Sequence, residues 1–278
     1  MAVKVGYQGN HGTFSEIAVL DYFKDRDIEQ CGYTNFPDIM KDTENGTLDY
    51  ALLPVENTTT GIIYRTYDLF KDYDVRAVGE ITVPIVEDLI VIPGTKFEEI
   101  REVYTHPEVI SQCHGFLQKN PQITAMAYQD TAAGVEYVKT CGDRSKAALG
   151  SHRAAEYFGM ESLMKSVQDS TTNMTRFLCV THKQEVPEDA DKTSLMIVTK
   201  HEPGTLFRVL EVLAVHNINM LKLESRPIPG QIFRYCFYID IAGSVNEPLI
   251  SICLKEMEAK CESFRILGCY KADKLFEI

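Results

Sequence analysis

Short apolar runs alternate with amphipathic segments along the first 180 residues of the chain. The apolar runs predict strands over residues 3–7, 49–54, 84–92, 103–104, 123–128 and 147–150. Between them, apolar residues recur every three to four positions, which predicts helices over residues 14–23, 107–117, 131–138 and 152–158. This alternation predicts an α/β fold in which helices cover a sheet.

A polar and acidic segment, residues 182–192, interrupts this alternation and contains Pro187. Its composition predicts a linker, so we expect one domain over residues 1–181 and a second over residues 193–271. The second part predicts strands at residues 194–199, 220–224, 233–241 and 264–267 and helices at residues 206–216 and 248–260. The resulting order, βαββαβ, is typical of a ferredoxin-like domain.

The chain has 278 residues, 45% of them hydrophobic, and a net charge of -12. The negative charge argues against a nucleic-acid partner. No apolar segment has the length of a membrane span or the pattern of a signal peptide, so we expect a cytoplasmic protein. The eight Cys form no Cys-x-x-Cys pair and the seven His are dispersed, so we expect reduced thiols and no metal site.

Polar residues cluster where predicted strands give way to helices. Thr13 and Glu16 have the spacing of a capping box, in a turn rich in glycine. Similar turns recur at residues 53–59, 104–107, 129–131 and 150–151. Helix capping alone explains each turn taken singly, but open α/β sheets bind ligands at the carboxyl ends of their strands. Together these turns indicate a site for a small anionic ligand.

The segment from Asn173 to Phe177 places a hydroxyl beside a cation at the start of an apolar run. The guanidinium of Arg176 presents a planar set of donors that matches a carboxylate, and the Thr175 hydroxyl can donate a hydrogen bond beside it. A solvated strand edge would carry the same two residues without any ligand. The segment therefore favours an anion site only in combination with the rest of the chain.

Glu56 and Asn57 follow a nearly continuous apolar strand, where a carboxylate is only partly solvated. Glu56 fits the role of acid, base or helix cap, and the three threonines after Asn57 add side-chain donors to this turn. His106 precedes Pro107 and fits a helix start better than a proton shuttle.

Short motifs in both predicted domains follow one another in an order that points to a known family. Those of the first domain are residues 9–15, 54–57, 106–107, 112–113, 130–133 and 173–177. Those of the second domain are residues 203–206, 217–219, 224–227 and 267–270. The first set resembles the monofunctional bacterial prephenate dehydratase family, and the second resembles the phenylalanine-sensing ACT domain of these enzymes. Because the first motif begins at Gly9, we expect no chorismate mutase domain before it.

The resemblance implies a fold for the first domain: two α/β lobes similar to those of periplasmic binding proteins. Lobe 1 would contain about residues 1–80 and 162–181, and lobe 2 about residues 81–161. The active site would then lie in the cleft between the lobes, where closure excludes water.

The resemblance also implies the chemistry, which is loss of a hydroxyl and a carboxylate from prephenate to give phenylpyruvate, CO2 and water without a cofactor. Thr175 would be essential, with a proton relayed from water or from Glu56, while Asn57 completes the catalytic group and Arg176 clamps a substrate carboxylate. The remaining residues expected to bind substrate are Thr13, Phe14, Ser15, Thr58, Thr105, His106, Gln112, Thr131, Asn173 and Phe177.

For the second domain, the resemblance implies that L-phenylalanine binds as an allosteric effector and that the chain forms a homo-oligomer, a dimer or a dimer of dimers. The residues expected to bind the effector are Gly204, Thr205, Leu206, Asn217, Glu224, Ser225 and Arg226. Two alternatives stay open. The chain could be an arogenate dehydratase, or a non-catalytic binding module that senses amino acids.

Overall fold

In the computed structural model, which describes residues 2–274, the chain divides into two units. Unit 1 contains the residues up to 73 together with residues 81–177, and unit 2 contains residues 74–80 together with the residues from 178 onward. The unit boundary therefore precedes the predicted linker, because the second half of one strand, from Leu178, belongs to unit 2.

Unit 1 begins with a sheet and three helices that we call lobe 1. Its strands are β1 (Val3–Gln8), β2 (Ile28–Tyr33), β3 (Tyr50–Asn57) and β4 (Gly61–Ile62), and its helices are α1 (Phe14–Tyr22), α2 (Phe36–Glu44) and α3 (Tyr64–Leu69). Strand β1 lies parallel to β2 and β3, and β4 returns antiparallel along the end of β3. The carboxyl ends of β1 and β3 therefore lie at one edge of the sheet.

Two later strands complete the chain path through lobe 1. They are β5 (Arg76–Pro84), which leads out of the lobe, and the strand that returns after lobe 2, which we call β11 (Met174–Thr181). In the sheet order β11 is the neighbour of β3. The sequence analysis did not predict β2, α2, α3, β4 or β5, whose residues mix polar and apolar types.

Lobe 2 of unit 1 is a second sheet with helices on both faces. Its strands are β6 (Asp88–Val91), β7 (Glu102–Thr105), β8 (Thr124–Ala127), β9 (Lys146–Gly150) and β10 (Glu161–Met164). Its helices are α4 (Pro107–Gln112), α5 (His114–Lys119), α6 (Thr131–Cys141) and α7 (His152–Phe158), besides a 3-10 turn at Phe97–Glu99. The strand order is β10-β6-β9-β7-β8, with β7 parallel to β8 and β9 and β6 antiparallel to its neighbours.

Two separate apolar clusters on the two faces of this second sheet hold lobe 2 together. Along β6, Leu89 and Val91 face one cluster, whereas Ile90 faces the other. This alternation is the two-residue period of a strand that is buried on both sides. It also explains why residues 89–92 form a continuous apolar run in the sequence.

The structure corrects three predicted boundaries in unit 1. The predicted strand over residues 84–92 is interrupted at residues 85–87, where the chain crosses from lobe 1 to lobe 2. It crosses back at residues 165–173, because β10 still pairs with β6. The crossings thus lie later than the positions 81 and 162 expected from the sequence. The predicted helix over residues 107–117 is two short helices, because Cys113 has a non-helical backbone (φ -112°, ψ 23°).

Unit 2 has the predicted element order βαββαβ. The elements are β12 (Lys192–Thr199), α8 (Thr205–Val215), β13 (Met220–Pro227), β14 (Tyr235–Ala242), α9 (Pro248–Glu258) and β15 (Cys261–Tyr270). The four strands are antiparallel in the order β13-β14-β12-β15, and α8 and α9 pack on the apolar cluster of this sheet.

The last residue of the predicted linker, Lys192, is instead the first residue of β12 and is almost fully buried. Its Nζ lies 3.0 Å from both carboxylate oxygens of Glu80, which belongs to the same unit. A buried ammonium is tolerated when such a carboxylate neutralises it. The composition of the linker could not reveal this pairing, since the two residues are far apart in sequence.

Candidate active site

A cavity of about 260 Å³ lies between the two lobes of unit 1. The residues that line it are Gln8, Thr13, Phe14, Ser15, Pro54, Asn57, Thr60, Ile63, Ile85, Glu87, His106, Glu108, Val109, Gln112, Asp130, Thr131, Thr175 and Phe177. Both lobes contribute, and most polar members follow the carboxyl ends of β1, β3, β7 and β8. The cavity is therefore formed by the strand-end turns that the sequence singled out.

Two helix N-termini face this cavity from opposite lobes. Thr13 caps α1 by accepting a hydrogen bond from the Glu16 backbone N–H (3.4 Å), and Asp130 caps α6 by accepting one from Ala133 (2.7 Å). The hydroxyl-bearing residues Thr13 and Thr131 are each only 8% exposed. Helix N-termini carry partial positive charge and favour anions, so the cavity is suited to carboxylates from both sides.

The side-chain amide of Asn57 is the centre of a hydrogen-bond network in lobe 1. Its Nδ2 lies 2.9 Å from Thr175 Oγ1, 2.8 Å from Asn173 Oδ1 and 3.1 Å from the Met174 carbonyl. Its Oδ1 accepts hydrogen bonds from the backbone N–H groups of two following threonines, at 2.9 and 3.0 Å. Because backbone donors fix the orientation of the amide, its NH2 group must point at Thr175.

Thr175 is positioned as a donor by this arrangement. Its Oγ1 accepts from Asn57, so the hydroxyl proton is directed to another acceptor, and the residue lines the cavity while being 8% exposed. Phe177, two residues further along β11, lines the same cavity, as the two-residue period of a strand requires.

Arg176 lies between these two residues and does not line the cavity. Its Nη2 lies 3.0 Å from Glu56 Oε2 and 3.1 Å from the Tyr67 hydroxyl, and its side chain is 4% exposed. The expectations that Arg176 clamps a substrate carboxylate and that Glu56 supplies a proton are therefore not supported by this geometry. The physical reason is strand alternation, which places both residues away from Thr175 and Asn57.

Three further expected substrate residues contact protein groups instead of lining the cavity. Thr58 Oγ1 bridges to the backbone of the β11 entry, donating to the Thr172 carbonyl and accepting from the Met174 N–H. Thr105 is fully buried and donates to the Leu149 carbonyl (2.8 Å), and Asn173 accepts from Asn57. These side chains support the walls of the cavity.

Glu87 is a cavity residue that the sequence did not single out. Its side chain is fully buried, and within residues 2–274 neither carboxyl oxygen has a hydrogen-bond partner. Burial, and secondarily the neighbouring Asp88, raise the pKa of Glu87 to about 8. The only signal in the sequence was a carboxylate inside an apolar run, where pairs of acidic residues are unusual.

The crossing segments hold Glu87 in place through its backbone. Its N–H donates to Gln168 Oε1 (3.0 Å), and its carbonyl accepts from the Val167 N–H (2.8 Å). Nearby, the Ile85 N–H donates to the Asn173 carbonyl (2.9 Å). The two crossings between the lobes are thus paired, and Glu87 sits on one of them.

The cavity has no Lys or Arg among the described residues that line it. Its polar groups are hydroxyls, amides, one imidazole and carboxyl groups, besides the two helix N-termini. The imidazole of His106 accepts from the Glu108 N–H (3.2 Å) and caps α4, which agrees with the prediction of a helix start.

The lobes also contact one another beside the cavity. Gly12 has a left-handed backbone (φ 89°), and a Cβ there would lie 2.7 Å from the Ala154 Cα on α7. Ser151 Oγ donates to the Gly12 carbonyl (2.5 Å), and the His11 ring stacks on Tyr157 at 4.6 Å. Only glycine allows this close approach of the two lobes.

A second cavity, of about 280 Å³, lies in unit 2 around the turn that begins α8. It is lined by Gly204, Thr205 and Leu206, as well as by the aromatic residues Phe233 and Tyr235. The other expected effector residues, Asn217, Glu224, Ser225 and Arg226, do not line it. Asn217 lies just after the end of α8 and has a left-handed backbone (φ 53°), and the other three lie on β13, separated from β12 by β14.

Among residues 2–274, no group of three or more His, Cys, Asp or Glu is arranged to hold a metal ion. None of the helices in this range combines the length and apolar character needed to cross a membrane.

A family model described as prephenate dehydratase matches residues 5–185 of the chain. The bifunctional chorismate mutase/prephenate dehydratase of Enterobacter agglomerans is 34% identical over 278 residues, covering 99% of this chain and 72% of that protein. The chloroplastic arogenate dehydratase/prephenate dehydratase 1 of Arabidopsis thaliana is 33% identical, covering 98% and 72%.

Two solved structures share the fold along nearly the whole chain. One is the prephenate dehydratase of Arthrobacter aurescens in complex with L-Phe, with a TM-score of 0.88, 26% identity and coverage of 97% of this chain and 90% of that one. The other is GqqA, described as a novel type of quorum quenching acylase, with a TM-score of 0.89, 26% identity and coverage of 98% and 99%.

Proposed function

The chain belongs to the prephenate dehydratase family, and on that premise we propose that it converts prephenate to phenylpyruvate, CO2 and water. The C–C bond to the ring carboxylate breaks, its electrons complete the aromatic ring, and the C–O bond to the ring hydroxyl breaks. The departing hydroxyl takes one proton and leaves as water. No oxidant or reductant is required, and the one proton consumed comes from a protein acid that is reprotonated by solvent.

The observation that carries this proposal is the hydrogen bond from Asn57 to Thr175 inside the cleft. Because Asn57 occupies an acceptor position of Oγ1, the Thr175 hydroxyl can donate a hydrogen bond to the ring hydroxyl that departs. This hydrogen bond strengthens as charge develops on the departing oxygen, and such preorganised donors stabilise the transition state.

The absence of Lys and Arg among the described lining residues also fits this reaction. The ring carboxylate loses its charge as it becomes CO2, so a strong cation beside it would stabilise the substrate more than the transition state. Hydroxyls and helix N-termini, including Thr13, Ser15 and Thr131, would hold the carboxylates in register with less ground-state stabilisation. His106 and Gln112 would contribute polar contacts from lobe 2, and Phe14 and Phe177 apolar ones.

For Arg176 and Glu56 we propose a positioning role instead of direct contact with substrate. Their ion pair joins β11 to β3, the strands that carry Thr175 and Asn57. Holding these strands in register fixes the distance between the two side chains that act on the substrate. Thr58 and Asn173 would act in the same way through the contacts described above.

For unit 2 we propose an ACT-type regulatory role, with L-phenylalanine as the effector and a homo-oligomer as the active form. The complex of the Arthrobacter aurescens relative with L-Phe supports this choice of ligand. The backbone turn at Gly204–Leu206 would bind the carboxylate, and Asn217, Glu224, Ser225 and Arg226 would serve the amine and the oligomer contact.

Three further predictions from the sequence stay predictions. They are the likeness of unit 1 to periplasmic binding proteins, the cytoplasmic location and the monofunctional assignment.

Parallel assays on prephenate and arogenate test the proposed reaction. Turnover of prephenate at a higher kcat/KM than arogenate supports it, whereas preference for arogenate moves the assignment to the sister activity named for the Arabidopsis relative. An acylated amide substrate is included because of the structural likeness to GqqA. Cleavage of that amide alone, or no turnover of any of the three, would contradict the proposal.

A further inference from the structure

The departing hydroxyl needs a proton to leave as water, so an acidic group at the cavity must supply it. The described acidic residues at or near the cavity differ in whether their carboxyl groups can take this role. Asp130 accepts the Ala133 N–H as a helix cap, and Glu108 is exposed to solvent. Glu56 lies outside the cavity against Arg176. The remaining acidic residue is Glu87, whose carboxyl group is buried in the cavity wall.

The carboxyl group of Glu87 has an environment that suits a neutral acid. Both of its oxygens are buried and neither has a hydrogen-bond partner among residues 2–274. An ionised carboxylate without partners would lose its hydration without compensation, so burial favours the protonated form. The Gln112 Oε1 in the same wall is likewise buried without a partner in the described chain. Two unsatisfied polar groups at one cavity indicate that a bound ligand completes their hydrogen bonds.

We propose that Glu87 is the proton donor for departure of the ring hydroxyl. The Glu87 O–H bond breaks and its proton forms an O–H bond with the departing oxygen, while the C–O bond to the ring breaks and water is released. Glu87 is left as a carboxylate and regains a proton from solvent after the products leave. This inference rests on the proposed dehydratase function and identifies which residue serves it.

The raised pKa of Glu87 fits a role as proton donor. With a pKa of about 8, the group is mostly protonated at neutral pH and still acidic enough to donate. Asp88 on the same segment raises that pKa, and burial also raises the pKa of the Cys113 thiol, which packs from lobe 2. His106, Glu108 and Asp130 are the other titratable groups that line the cavity, and Thr175 supplies the second hydrogen bond to the same oxygen.

The test compares wild type with Glu87→Gln, Glu87→Asp and the matched control Glu136→Gln. Glutamine keeps the size and neutrality of the protonated acid but cannot release a proton. Glu136 is an exposed residue of α6 and undergoes the same chemical change away from the cavity. For each protein, kcat and KM for prephenate are measured across pH, and folding is checked by circular dichroism.

We expect Glu87→Gln to lower kcat by at least about 100-fold with little change in KM, the effect typical of losing a general acid. The wild-type rate should fall above about pH 8, where Glu87 ionises, and this alkaline limb should be absent from the residual rate of the variant. Glu87→Asp should regain part of the activity, and Glu136→Gln should behave as wild type.

Two results would overturn the inference and leave the dehydratase function intact. One is a folded Glu87→Gln protein with wild-type kcat. The other is a reduced kcat with the alkaline limb still present, which indicates a structural role only. If the wild type itself does not turn over prephenate, the proposed function has failed and not the choice of residue. The three outcomes are therefore distinguishable in one set of assays.

Discussion

Asn57 is the residue whose hydrogen bonds most directly determine what Thr175 can do. In Asn57→Asp, the carboxylate would still accept the two backbone N–H groups but could no longer donate to Thr175 Oγ1. The Thr175 hydroxyl would then donate to the new carboxylate and turn its proton away from the cavity. We expect kcat for prephenate to fall on the order of 100-fold, as for loss of one preorganised donor.

Asn45→Asp is the matched control, because Asn45 is exposed and also accepts two hydrogen bonds from its own turn through Oδ1. Steady-state kinetics and thermal unfolding of both variants separate the effect on turnover from any effect on folding. Wild-type turnover by a folded Asn57→Asp protein would remove the amide from the mechanism.

The raised pKa of Glu87 also predicts how stability depends on pH, independently of activity. Its pKa is raised in the folded protein from the ordinary 4.5 to about 8, so the folded state binds more protons than the unfolded state between these values. This contribution to stability is fully present below about pH 4.5 and is lost as the pH rises through about 8. We expect the free energy of unfolding to fall with pH, by up to about 1.4 kcal/mol per pH unit, more steeply in wild type than in Glu87→Gln.

Urea denaturation at a series of pH values across this window measures the difference. The Glu136→Gln variant should follow wild type. Parallel pH dependence of wild type and Glu87→Gln would mean that the carboxyl group does not stay protonated in the folded state.

Substitution of Arg176 distinguishes a positioning role from a role as a clamp on a substrate carboxylate. Because its guanidinium contacts Glu56 and Tyr67 and not the cavity, Arg176→Lys should lower the free energy of unfolding by about 1 to 3 kcal/mol while KM for prephenate changes little. Denaturation curves and steady-state kinetics of the purified variant measure both quantities. A large increase in KM at unchanged stability would restore the clamp that the sequence suggested.

At the scale of elements, the contact between the α1 turn and α7 determines how closely the lobes approach. Gly12→Ala would place a Cβ 2.7 Å from the Ala154 Cα, on a backbone that already disfavours an L side chain. We expect kcat/KM to fall and the unfolding temperature to drop, because both local strain and the clash, each of about 1 to 3 kcal/mol, act against the closed arrangement.

Gly142→Ala provides the control for the backbone strain alone. Gly142 ends α6 with a φ of 65°, and a Cβ there meets nothing within 4 Å. Its substitution should cost stability but leave kcat/KM for prephenate near the wild-type value. Equal kinetic effects of the two substitutions would show that the lobe contact at Gly12 has no part in catalysis.

Several elements that bury long apolar runs or regularly spaced apolar residues could be predicted from the sequence. Strand β6 is buried on both faces and carries an apolar run from Leu89, and helix α6 buries residues at helical spacing. Strand β2 has no fully buried residue and contains Glu29, Gln30 and Gly32, so its composition does not mark it as a strand. Its pairing with β1 is a tertiary effect that local pattern does not encode.

The candidate site was predictable to the extent that it follows strand ends. Thr13, Asn57 and Thr131 were predicted because they lie at or just after the carboxyl ends of strands, and Thr175 because it stands beside a cation at the start of an apolar strand. Glu56 and Arg176, for which the sequence suggested roles at the substrate, pair with each other and do not line the cavity, since the face a strand residue occupies depends on register. Glu87 was missed because its importance lies in burial without a partner, which only the folded chain reveals.

At the scale of the whole molecule, the distribution of charge is the informative feature. The chain carries a net charge of -12, yet the proposed substrate is an anion, and no cation lines the cavity among the described residues. Local donors and helix N-termini must therefore hold the substrate against the charge of the protein as a whole. Regulation would require unit 2 to bind L-phenylalanine and favour one cleft geometry of unit 1, a coupling typically worth about 1 to 3 kcal/mol.

Dehydration of prephenate through Thr175 is tested by measuring how much phenylpyruvate and CO2 the wild type and Thr175→Ala form from prephenate. We predict that wild type releases the two products one for one, and that a folded Thr175→Ala protein is slower by at least about 100-fold, since it lacks the hydroxyl aimed at the departing oxygen. No products from wild type, or unchanged turnover by a folded Thr175→Ala protein, would show that this cleft does not carry out the dehydration through Thr175.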